Sequence, residues 1–418
     1  MAHEWKDCTL GDVIELKRGY DLPQKERLPG DVPLVSSSGV TDSHAKAMVK
    51  GPGVVTGRYG TLGQVFYVEQ DFWPLNTTLY VRDFKGNDPR FISYFLRDID
   101  FLAYSDKAAV PGLNRNHLHQ AKIRFPTNLT EQRAIAHILG ALDSKIELNR
   151  RTSETLEAMA RALFKGWFVD FEPVRAKQES RWHIGQSLPG LPAHLYDMFP
   201  DQLVESELGE IPVGWKLGAI EDLCSSISSG GTPARKNPLY WSNGTIPWFK
   251  TGELNDGPLL DADEKINEAA LAGSSCKLWP AGTILFALYA SPTVGRIGIL
   301  TAPGTSNQAA AGLMAKDYFG IPFLRRVLIE AREKLQSVAV GAAQQNINQA
   351  ILKSHQIILP ASELAREYSR IVSSWDDQQV EIAREIRSLN LLRDTLLHKL
   401  ISGELRIPDA ERIVGAAV

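Results

Sequence analysis

The sequence has few cysteines and no long apolar run, and each of these shortages excludes a class of protein, whereas its small net charge excludes none. Cys8, Cys224 and Cys276 are scattered and form no Cys-x-x-Cys pair, so a disulfide framework is not expected. The longest apolar run, Ala281 to Ala290, is far shorter than the about 20 residues that cross a bilayer. No charged-then-apolar leader opens the chain. We therefore expect a soluble protein of the reducing cytoplasm with no membrane partner. The net charge of −3 neither requires nor excludes nucleic acid, because binding needs only a local basic surface.

The sequence does contain a duplication. Trp5-Lys6 and Trp215-Lys216 open two segments 210 positions apart, and each segment closes on a strand-like run that ends in proline, at Pro126 and Pro360. The spacing has by then settled at 234 positions. Repeat arrays have periods of about 20 to 50 residues, so this is a duplicated domain. A chain of 418 residues is long enough for two cores, and we expect the halves to be related by a pseudo-twofold axis.

A long amphipathic helix is predicted after each copy. Each helix carries apolar residues at heptad spacing, and each would be roughly 55 to 60 Å long, too long for one small domain to bury. We therefore expect the two helices to pair as an antiparallel coiled coil, although separate surface helices remain an alternative. The helix-pairing residues would be Ile135, Leu139, Leu142, Ile146, Leu156, Leu163 and Trp167 in the first helix, and Val372, Trp375, Ile382, Ile386, Leu389, Leu396 and Leu400 in the second.

Four polar residues interrupt this seam and would set its register at some cost in stability. They are Asn149, Ser153, Gln379 and Arg393. Gly403 marks the end of the second helix, and the proline-rich stretch from Asp170 to Ile211 is typical of a linker. With antiparallel helices, the first helix would end near the second domain and the last helix would end near Met1.

These patterns predict an α+β protein built from two mixed α/β domains, each followed by a long helix. The predicted boundaries are 1–126 for the first domain, 127–169 for the first helix, 170–210 for the linker, 211–360 for the second domain, 361–405 for the second helix and 406–418 for a C-terminal tail.

Three stretches carry a resemblance to a known family. The first is Leu10 to Pro23, continued by Thr56-Gly57-Arg58-Tyr59-Gly60 and Pro74-Leu75-Asn76-Thr77-Thr78. The second begins Glu131-Gln132-Arg133 and ends Trp167-Phe168-Val169-Asp170-Phe171. The third is Glu207-Leu208-Gly209-Glu210-Ile211-Pro212, followed by Ser229-Gly230-Gly231-Thr232-Pro233. Over essentially its whole length, the chain resembles the specificity subunit of type I restriction-modification systems.

The resemblance implies a DNA reader that is not itself an enzyme. Two target-recognition domains would each read one half of a bipartite, asymmetric site in double-stranded DNA, with the helices fixing the spacer between the halves. The implied partners are two methyltransferase subunits, which methylate adenine, and restriction or motor subunits, which cut unmodified DNA. S-adenosylmethionine, ATP and Mg would be bound by these partners, and no cofactor or metal by this chain.

Base edges are read by polar side chains, whereas phosphates are bound by basic groups, and loops and strand ends present both. We therefore predict DNA-binding residues among Ser36, Ser37, Ser38, Thr56, Arg58, Tyr59, Asn76, Thr77 and Thr78 in the first domain, and Arg235, Lys236, Lys250, Thr251, Ser291, Thr293, Arg296, Asn307 and Gln308 in the second. Each has a structural alternative, since Ser and Thr also satisfy turns.

Other functions have weaker support in the sequence. Asn237-Pro238-Leu239-Tyr240 is similar to the catalytic motif of amino-methyltransferases, but it lacks the second proline and no Gly-x-Gly cofactor turn precedes it. His117 and His119 have no acidic or cysteine partners nearby in sequence that would complete a metal site. A stand-alone methyltransferase or nuclease is therefore disfavoured. A coiled-coil scaffold that does not read DNA remains the main alternative.

Overall fold

The structure is a computed structural model that describes residues 5–105, 112–289, 292–341 and 346–417. It divides into one unit formed by Met1–Leu148 with Arg387–Val418 and a second unit formed by Asn149–Ile386. The helices are α1 (Leu10–Val13), α2 (Pro89–Arg97), α3 (Arg115–His119), α4 (Leu129–Phe164), α5 (Glu172–Gln178), α6 (Glu268–Ala272), α7 (Ile321–Gly341), α8 (Gln349–Ser354), α9 (Ser362–Ile401) and α10 (Ile407–Gly415). The two predicted long helices are α4, which continues as a π-helical turn over Lys165–Val169, and α9.

The strands fall into two sets, one in each unit. The first unit contains β1 (Trp5–Thr9), β2 (Glu15–Arg18), β3 (Val32–Ser36), β4 (Gly39–His44), β5 (Gly53–Gly57), β6 (Val65–Val68), β7 (Trp73–Pro74), β8 (Thr78–Asp83) and β9 (Lys122–Pro126). The second contains β10 (Leu203–Ser206), β11 (Gly209–Pro212), β12 (Lys216–Ala219), β13 (Cys224–Ser229), β14 (Ile246–Phe249), β15 (Pro258–Leu259), β16 (Glu264–Ile266), β17 (Ile284–Ala287), β18 (Ile297–Leu300), β19 (Thr305–Ser306), β20 (Ala310–Ala315) and β21 (Gln356–Leu359).

The sheet topology confirms the duplication. In the first unit β1 pairs with β9, the order β2-β8-β5-β6 forms a four-stranded sheet, and β4-β3-β7 forms a three-stranded one. In the second unit β12 pairs with β21, and the corresponding orders are β13-β20-β17-β18-β15 and β16-β14-β19. The small sheets match in direction as well, because β3 and β14 each have one antiparallel and one parallel neighbour. The two domains therefore share one fold, to which the second adds β15.

The central strands β5 and β17 are buried along their whole length. The continuous apolar sequence of β17 is typical of a strand covered on both faces, whereas β5 buries Thr56 beside Val54 and Val55. Val55 of β5 packs in a cluster with Val35 and Phe72 from the region of the small sheet, and α2 also lies against β5 and β6. Each recognition domain thus has a core of its own.

Local capping explains where α4 begins and where α9 ends. The Asn128 carboxamide oxygen accepts a hydrogen bond from the backbone N–H of Thr130 at 2.8 Å, as expected of an N-cap. Ser362 behaves differently, because it is the first residue of α9 and its hydroxyl donates to the Glu363 carboxylate. At the other end Gly403 has a φ of +74°, a conformation in which glycine is favoured and which ends a helix.

In the second unit the two long helices run antiparallel and pack on each other. The Tyr368 hydroxyl donates to the Ala160 carbonyl at 3.0 Å, the Gln379 amide to the Ser153 carbonyl at 3.2 Å, and the Asn149 amide to the Glu385 carboxylate at 2.9 Å. Each polar residue predicted within this part of the seam thus has a partner on the other helix. Of the predicted apolar seam residues here, four are buried (Leu156, Trp167, Val372 and Ile382) and three are half-buried (Leu163, Trp375 and Ile386).

In the first unit the antiparallel pairing also holds. Arg393 of α9 donates to Asp143 of α4 at 2.9 Å. The C-terminal end of α9 reaches the first strand, since a Cβ on Gly403 would lie 3.2 Å from the Trp5 ring. The predicted seam residues of this unit are all buried: Ile135, Leu139, Leu142, Ile146, Leu389, Leu396 and Leu400. The prediction of an antiparallel helix pair is confirmed.

Carboxylates on α4 anchor a helix of each recognition domain to the pair. Asp143 accepts hydrogen bonds from the Tyr94 hydroxyl at 2.7 Å and from Arg97 of α2 at 3.3 Å, besides that from Arg393. Burial opposes ionisation of Asp143, but these donors outweigh it and hold the pKa of the carboxyl below its usual range. The buried Gln132 side chain adds bonds to the Pro126 carbonyl and the Asn87 side chain.

Glu157 has the same role in the second unit. Arg325 of α7 donates to Glu157 at 2.9 Å and to Asp376 of α9 at 2.9 Å. The Nη2 atom of Arg326 lies 2.6 Å from Glu157, an ion-pair contact without hydrogen-bond alignment. Both arginines are at most 4 % exposed at the side chain. Burial tends to raise the pKa of Glu157, but the two guanidiniums lower it by more than burial raises it. The pKa of Glu157 therefore lies below its ordinary value of 4.5.

The segments predicted as a linker and a tail are folded. The linker contains α5 and the β10–β11 hairpin, and Trp182 within it is 1 % exposed in the main core cluster of the second unit. Lys177 donates to the carbonyls of Tyr196 and Phe199 at 2.5 and 2.6 Å. The C-terminal segment forms α10, whose Ala410 is fully buried. These proline-rich or terminal stretches are folded because their apolar side chains pack in the core.

Replacing Glu157 with Gln should destabilise the second unit, because it leaves two buried guanidiniums short of one negative charge. Since Glu157 is itself 35 % exposed, we expect a loss of about 2 kcal/mol in the free energy of unfolding, less than for a fully buried pair. Urea unfolding followed by Trp fluorescence measures it. Because the folded pKa lies below 4.5, the stabilisation by Glu157 is complete above that pH and is lost as the pH falls through the folded pKa. The difference from wild type should therefore shrink at acidic pH.

The exposed Glu154, on the same helix, provides the matched control. Glu154→Gln should leave the urea midpoint unchanged at every pH. Equal midpoints for wild type and Glu157→Gln at pH 7 would contradict the anchoring role.

Candidate nucleic-acid interface

In the first domain, backbone hydrogen bonds bring three of the predicted segments together. The Leu75 N–H donates to the Val35 carbonyl at 2.8 Å, which joins the link between β7 and β8 to the end of β3. The Arg58 N–H donates to the Thr77 carbonyl at 2.8 Å, which joins the same link to the loop after β5. The candidates Ser36 to Ser38, Arg58, Tyr59 and Asn76 therefore belong to one surface region, although their positions in the sequence are far apart. Thr77 lies beside them with its hydroxyl buried.

The second domain repeats these bonds. Asn307 N–H donates to the Phe249 carbonyl at 3.1 Å, as Leu75 does to Val35. Leu288 N–H donates to the Ala309 carbonyl at 2.8 Å, as Arg58 does to Thr77. Both domains thus hold the same three segments in the same backbone frame, and the side chains carried on the frame differ.

The exposed candidates of the first domain are polar and aromatic. Ser36 Oγ lies 2.9 Å from Ser38 Oγ and donates to the Gly39 carbonyl at 3.2 Å, so this turn is held by its own hydroxyls. The Arg58 guanidinium lies over the Tyr59 ring, 4.5 Å from its centroid, and Tyr59 is 41 % exposed. Stacking on the ring limits the rotamers of the cation and holds a charge at the surface beside Asn76 and Thr77.

Four threonines of the predicted set are in the interior. Thr56 and Thr78 are 1 % and 0 % exposed, and Thr251 and Thr293 are 5 % and 9 % exposed. The Thr78 hydroxyl donates to the Leu75 carbonyl at 2.7 Å, whereas the Thr56 hydroxyl has no hydrogen-bond partner among the described residues. Side chains so deeply buried do not present hydrogen-bonding groups to a DNA groove, and we assign these four to the core.

In the second domain two of the candidate cations share one carboxylate. Glu264 forms ion pairs with Arg235 and, at 3.0 Å, with Lys250. The hydrogen bonds from Arg235 and Lys250 lower the pKa of Glu264, and the bond to Glu264 raises the pKa of Lys250. Arg235 also stacks on Trp241 and Trp248, 3.9 and 4.6 Å from the ring centroids. This cluster holds its cations in place and partly neutralises them.

The remaining candidates of the second domain are at or near the surface. Lys236 and Arg296 are exposed, and within the described parts of the chain neither side-chain cation has an acceptor. Asn307 accepts a hydrogen bond from Ala309 N–H at 3.2 Å, and Gln308 is exposed beside Thr232. Ser291 lies outside the described residues.

The enzyme-like motifs have structural roles. Asn237 caps the short helical turn Pro238–Tyr240 by accepting from Leu239 N–H at 3.2 Å. His119 is half-buried and accepts a hydrogen bond from the Leu16 backbone at 2.9 Å, and burial lowers its pKa.

Two contacts in this region could not be read from the sequence. The Asn76 carboxamide donates to the Asp21 carboxylate, and the Thr232 hydroxyl donates to the Gln308 side chain. Asp21 and Thr232 were not among the predicted residues. Their partners are 55 and 76 positions away, so no local pattern indicates them.

The fold and these matched surfaces define a protein with two equivalent recognition domains on a helix pair. The family model of the type I restriction modification DNA specificity domain matches residues 2–158 and 212–390. The chain belongs to this family, and its function is the recognition of a DNA target.

Individual relatives agree. The chain is 25 % identical to the type I restriction enzyme HindI specificity subunit of Haemophilus influenzae, over 96 % of this chain and 100 % of that protein. It is 28 % identical to the MjaIX specificity subunit of Methanocaldococcus jannaschii, over 76 % of this chain and 67 % of that protein. The crystal structure of the S subunit from M. genitalium shares the fold, with a TM-score of 0.58 at 16 % identity over 95 % of this chain and 96 % of that one. Within the described residues, no helix has the length and apolarity needed to cross a membrane.

Replacing each of two buried threonines with valine tests whether these residues belong to the core, where they affect stability, or to the interface, where they affect the DNA target. Thr56→Val removes a hydroxyl without a partner and should leave stability unchanged or raise it, whereas Thr78→Val breaks a buried hydrogen bond and should cost about 1 kcal/mol. Thermal denaturation measures both. The DNA target should be the same for both variants, and a changed target for Thr56→Val would contradict its place in the core.

Proposed function

We propose that the two domains each read one half of an asymmetric, bipartite site in double-stranded DNA. The observation that carries this proposal is the shared backbone frame with different polar side chains near the surface: Ser36 and Asn76 on one copy, and Lys250 and Gln308 at the matching places of the other. Because the backbone frame is the same in both domains, both are expected to bind the DNA duplex in the same orientation. Different side chains on them fit different base sequences, so the two half-sites differ.

In this proposal the chain recognises the DNA target, and its partner subunits catalyse the reactions. Two methyltransferase subunits bind S-adenosylmethionine and methylate adenine, and restriction subunits use ATP and Mg to cut unmodified DNA. The use of Asn237 as a helix cap supports a non-catalytic role, since that residue begins the motif most similar to a methyltransferase site. The expectation of such partners comes from the family to which the chain belongs.

We propose that the paired α4 and α9 helices set the length of the unspecified spacer. The support is the cross-helix hydrogen bonding of Asn149, Gln379 and Arg393, which resists sliding of one helix along the other. The buried anchors at Asp143 and Glu157 attach a helix of each recognition domain to the pair. A helix rises about 1.5 Å per residue, so helix length translates directly into spacer length.

Deleting the gene should remove adenine methylation at one bipartite motif, because the methyltransferase subunits would lack the subunit that recognises their DNA target. Single-molecule sequencing of the source genome with and without the gene measures this. The lost motif should consist of two short, different half-sites around a fixed gap. A plasmid copy of the gene should restore the same motif.

A scaffold that reads no DNA would leave the methylation map unchanged. A silent system would do so too, and binding by the reconstituted complex separates the two. A reader's affinity for duplex DNA should fall steeply with salt as counterions are released. Absence of salt-dependent binding would favour the scaffold.

Inserting four helix-forming residues after Leu148 and four after Ile386 should lengthen the spacer by about two base pairs. The insertion adds about 6 Å to each helix at 1.5 Å per residue, and a base pair of B-DNA rises about 3.4 Å. Methylation mapping reads the spacer directly. An unchanged spacer in an active complex would refute the proposal that the paired helices set the spacer length.

The control carries the same four residues after Gly185, an exposed turn where φ is +79° and where, among the described residues other than its chain neighbours, no atom lies within 4 Å of the position of a Cβ. It should preserve both the half-sites and the spacer.

A further inference from the structure

The shared frame extends to a fourth segment, which follows the first strand of each main sheet. Tyr20 N–H donates to the Pro74 carbonyl at 2.8 Å, and Gly231 N–H donates to the Ser306 carbonyl at 2.9 Å. One residue earlier, Gly19 and Gly230 donate to the Thr78 and Ala310 carbonyls at 3.1 and 3.0 Å. These bonds align Gly19 to Asp21 with Gly230 to Thr232.

The two glycines confirm this alignment by their contacts. A Cβ on Gly19 would lie 2.2 Å from the Leu75 carbonyl oxygen, and a Cβ on Gly230 would lie 2.3 Å from that of Asn307. Leu75 and Asn307 are themselves equivalent, because they make the same bond to the small sheet. Both positions need glycine for the same close approach of two backbones, so the alignment is fixed independently of side-chain similarity.

On this alignment Asp21 matches Thr232, and Asn76 matches Gln308. In both domains the two matched side chains are hydrogen-bonded to each other: Asn76 donates to Asp21, and Thr232 donates to Gln308. Asp21 and Gln308 are exposed, and Asn76 and Thr232 are half-buried. The same two places thus carry a mutually oriented polar pair in each copy, and its chemistry differs between the copies.

We propose that Asp21 with Asn76, and Thr232 with Gln308, are equivalent base-reading pairs, each contacting base edges in the half-site of its own domain. An Asp carboxylate accepts from the cytosine amino group, Asn and Gln amides match adenine, and a Thr hydroxyl suits several bases. The hydrogen bond within each pair orients both side chains before DNA arrives, which reduces the entropy lost on binding. The rigid frame fixes where a base is read, and the pair determines which base is accepted. This inference rests on the proposed function.

The test exchanges the pairs between the domains. Asp21→Thr with Asn76→Gln places the second pair in the first domain, and Thr232→Asp with Gln308→Asn does the reverse. Methylation maps of cells that carry each double variant should show a change in one half-site only, a different half-site for each variant, with the spacer retained. Binding selection of randomised duplexes by the purified complex should show a base preference altered by about five- to hundredfold at the affected position.

A matched control and a folding check keep the result interpretable. Asp31→Thr removes an equally exposed carboxylate of the first domain, at the opposite end of β3 from Ser36, and should change neither half-site. Thermal melting of each complex checks the fold. If a double variant does not assemble, the single variants Asn76→Gln and Gln308→Asn enter the same selection and should each alter the preference in their own half-site.

Unchanged half-sites in folded variants would overturn the pairing, as would a change in the same half-site for both double variants. Failure of the proposed function looks different, because the wild-type complex would then show no bipartite motif at all.

Discussion

In each unit, one carboxylate of α4 ties a helix of the recognition domain to the long helices. Asp143 binds Tyr94 and Arg97 from the first domain together with Arg393 of α9, and Glu157 binds Arg325 and Arg326 from the second domain. Buried charges of this kind are costly when a partner is missing. These contacts therefore favour one position of each recognition domain on the part of the helix pair in its own unit.

The duplication separates the support of the reading surface from its specificity. Backbone hydrogen bonds and the close contacts at Gly19 and Gly230 recur in both copies, so the frame is the same while the side chains on it differ. The surfaces differ in charge as well, since Arg58 is stacked on an aromatic ring whereas Arg235 and Lys250 are paired with Glu264. Two copies of one fold thus carry two different surfaces without a change in architecture.

The sequence predicted part of the candidate site. Strand ends and loops pointed to Ser36, Arg58 and Asn76, which the structure brings into one region. It also pointed to Thr56 and Thr78, which are buried, because residue type alone does not distinguish a hydroxyl that faces the core from one that faces solvent. Asp21 and Thr232 were not predicted, because each forms its hydrogen bond with a residue that is distant in the sequence.

The sequence by itself determined the duplication, the two long helices, their polar seam positions and the stop at Gly403. These features are periodic or local, so hydrophobic spacing and capping express them directly. Only the tertiary structure decided the strand orders, the folding of the proline-rich linker around Trp182, the partners of Asp143 and Glu157, and the matched pairs at Asp21 and Thr232. Such contacts join residues tens to hundreds of positions apart, and their energies depend on burial that no local pattern encodes.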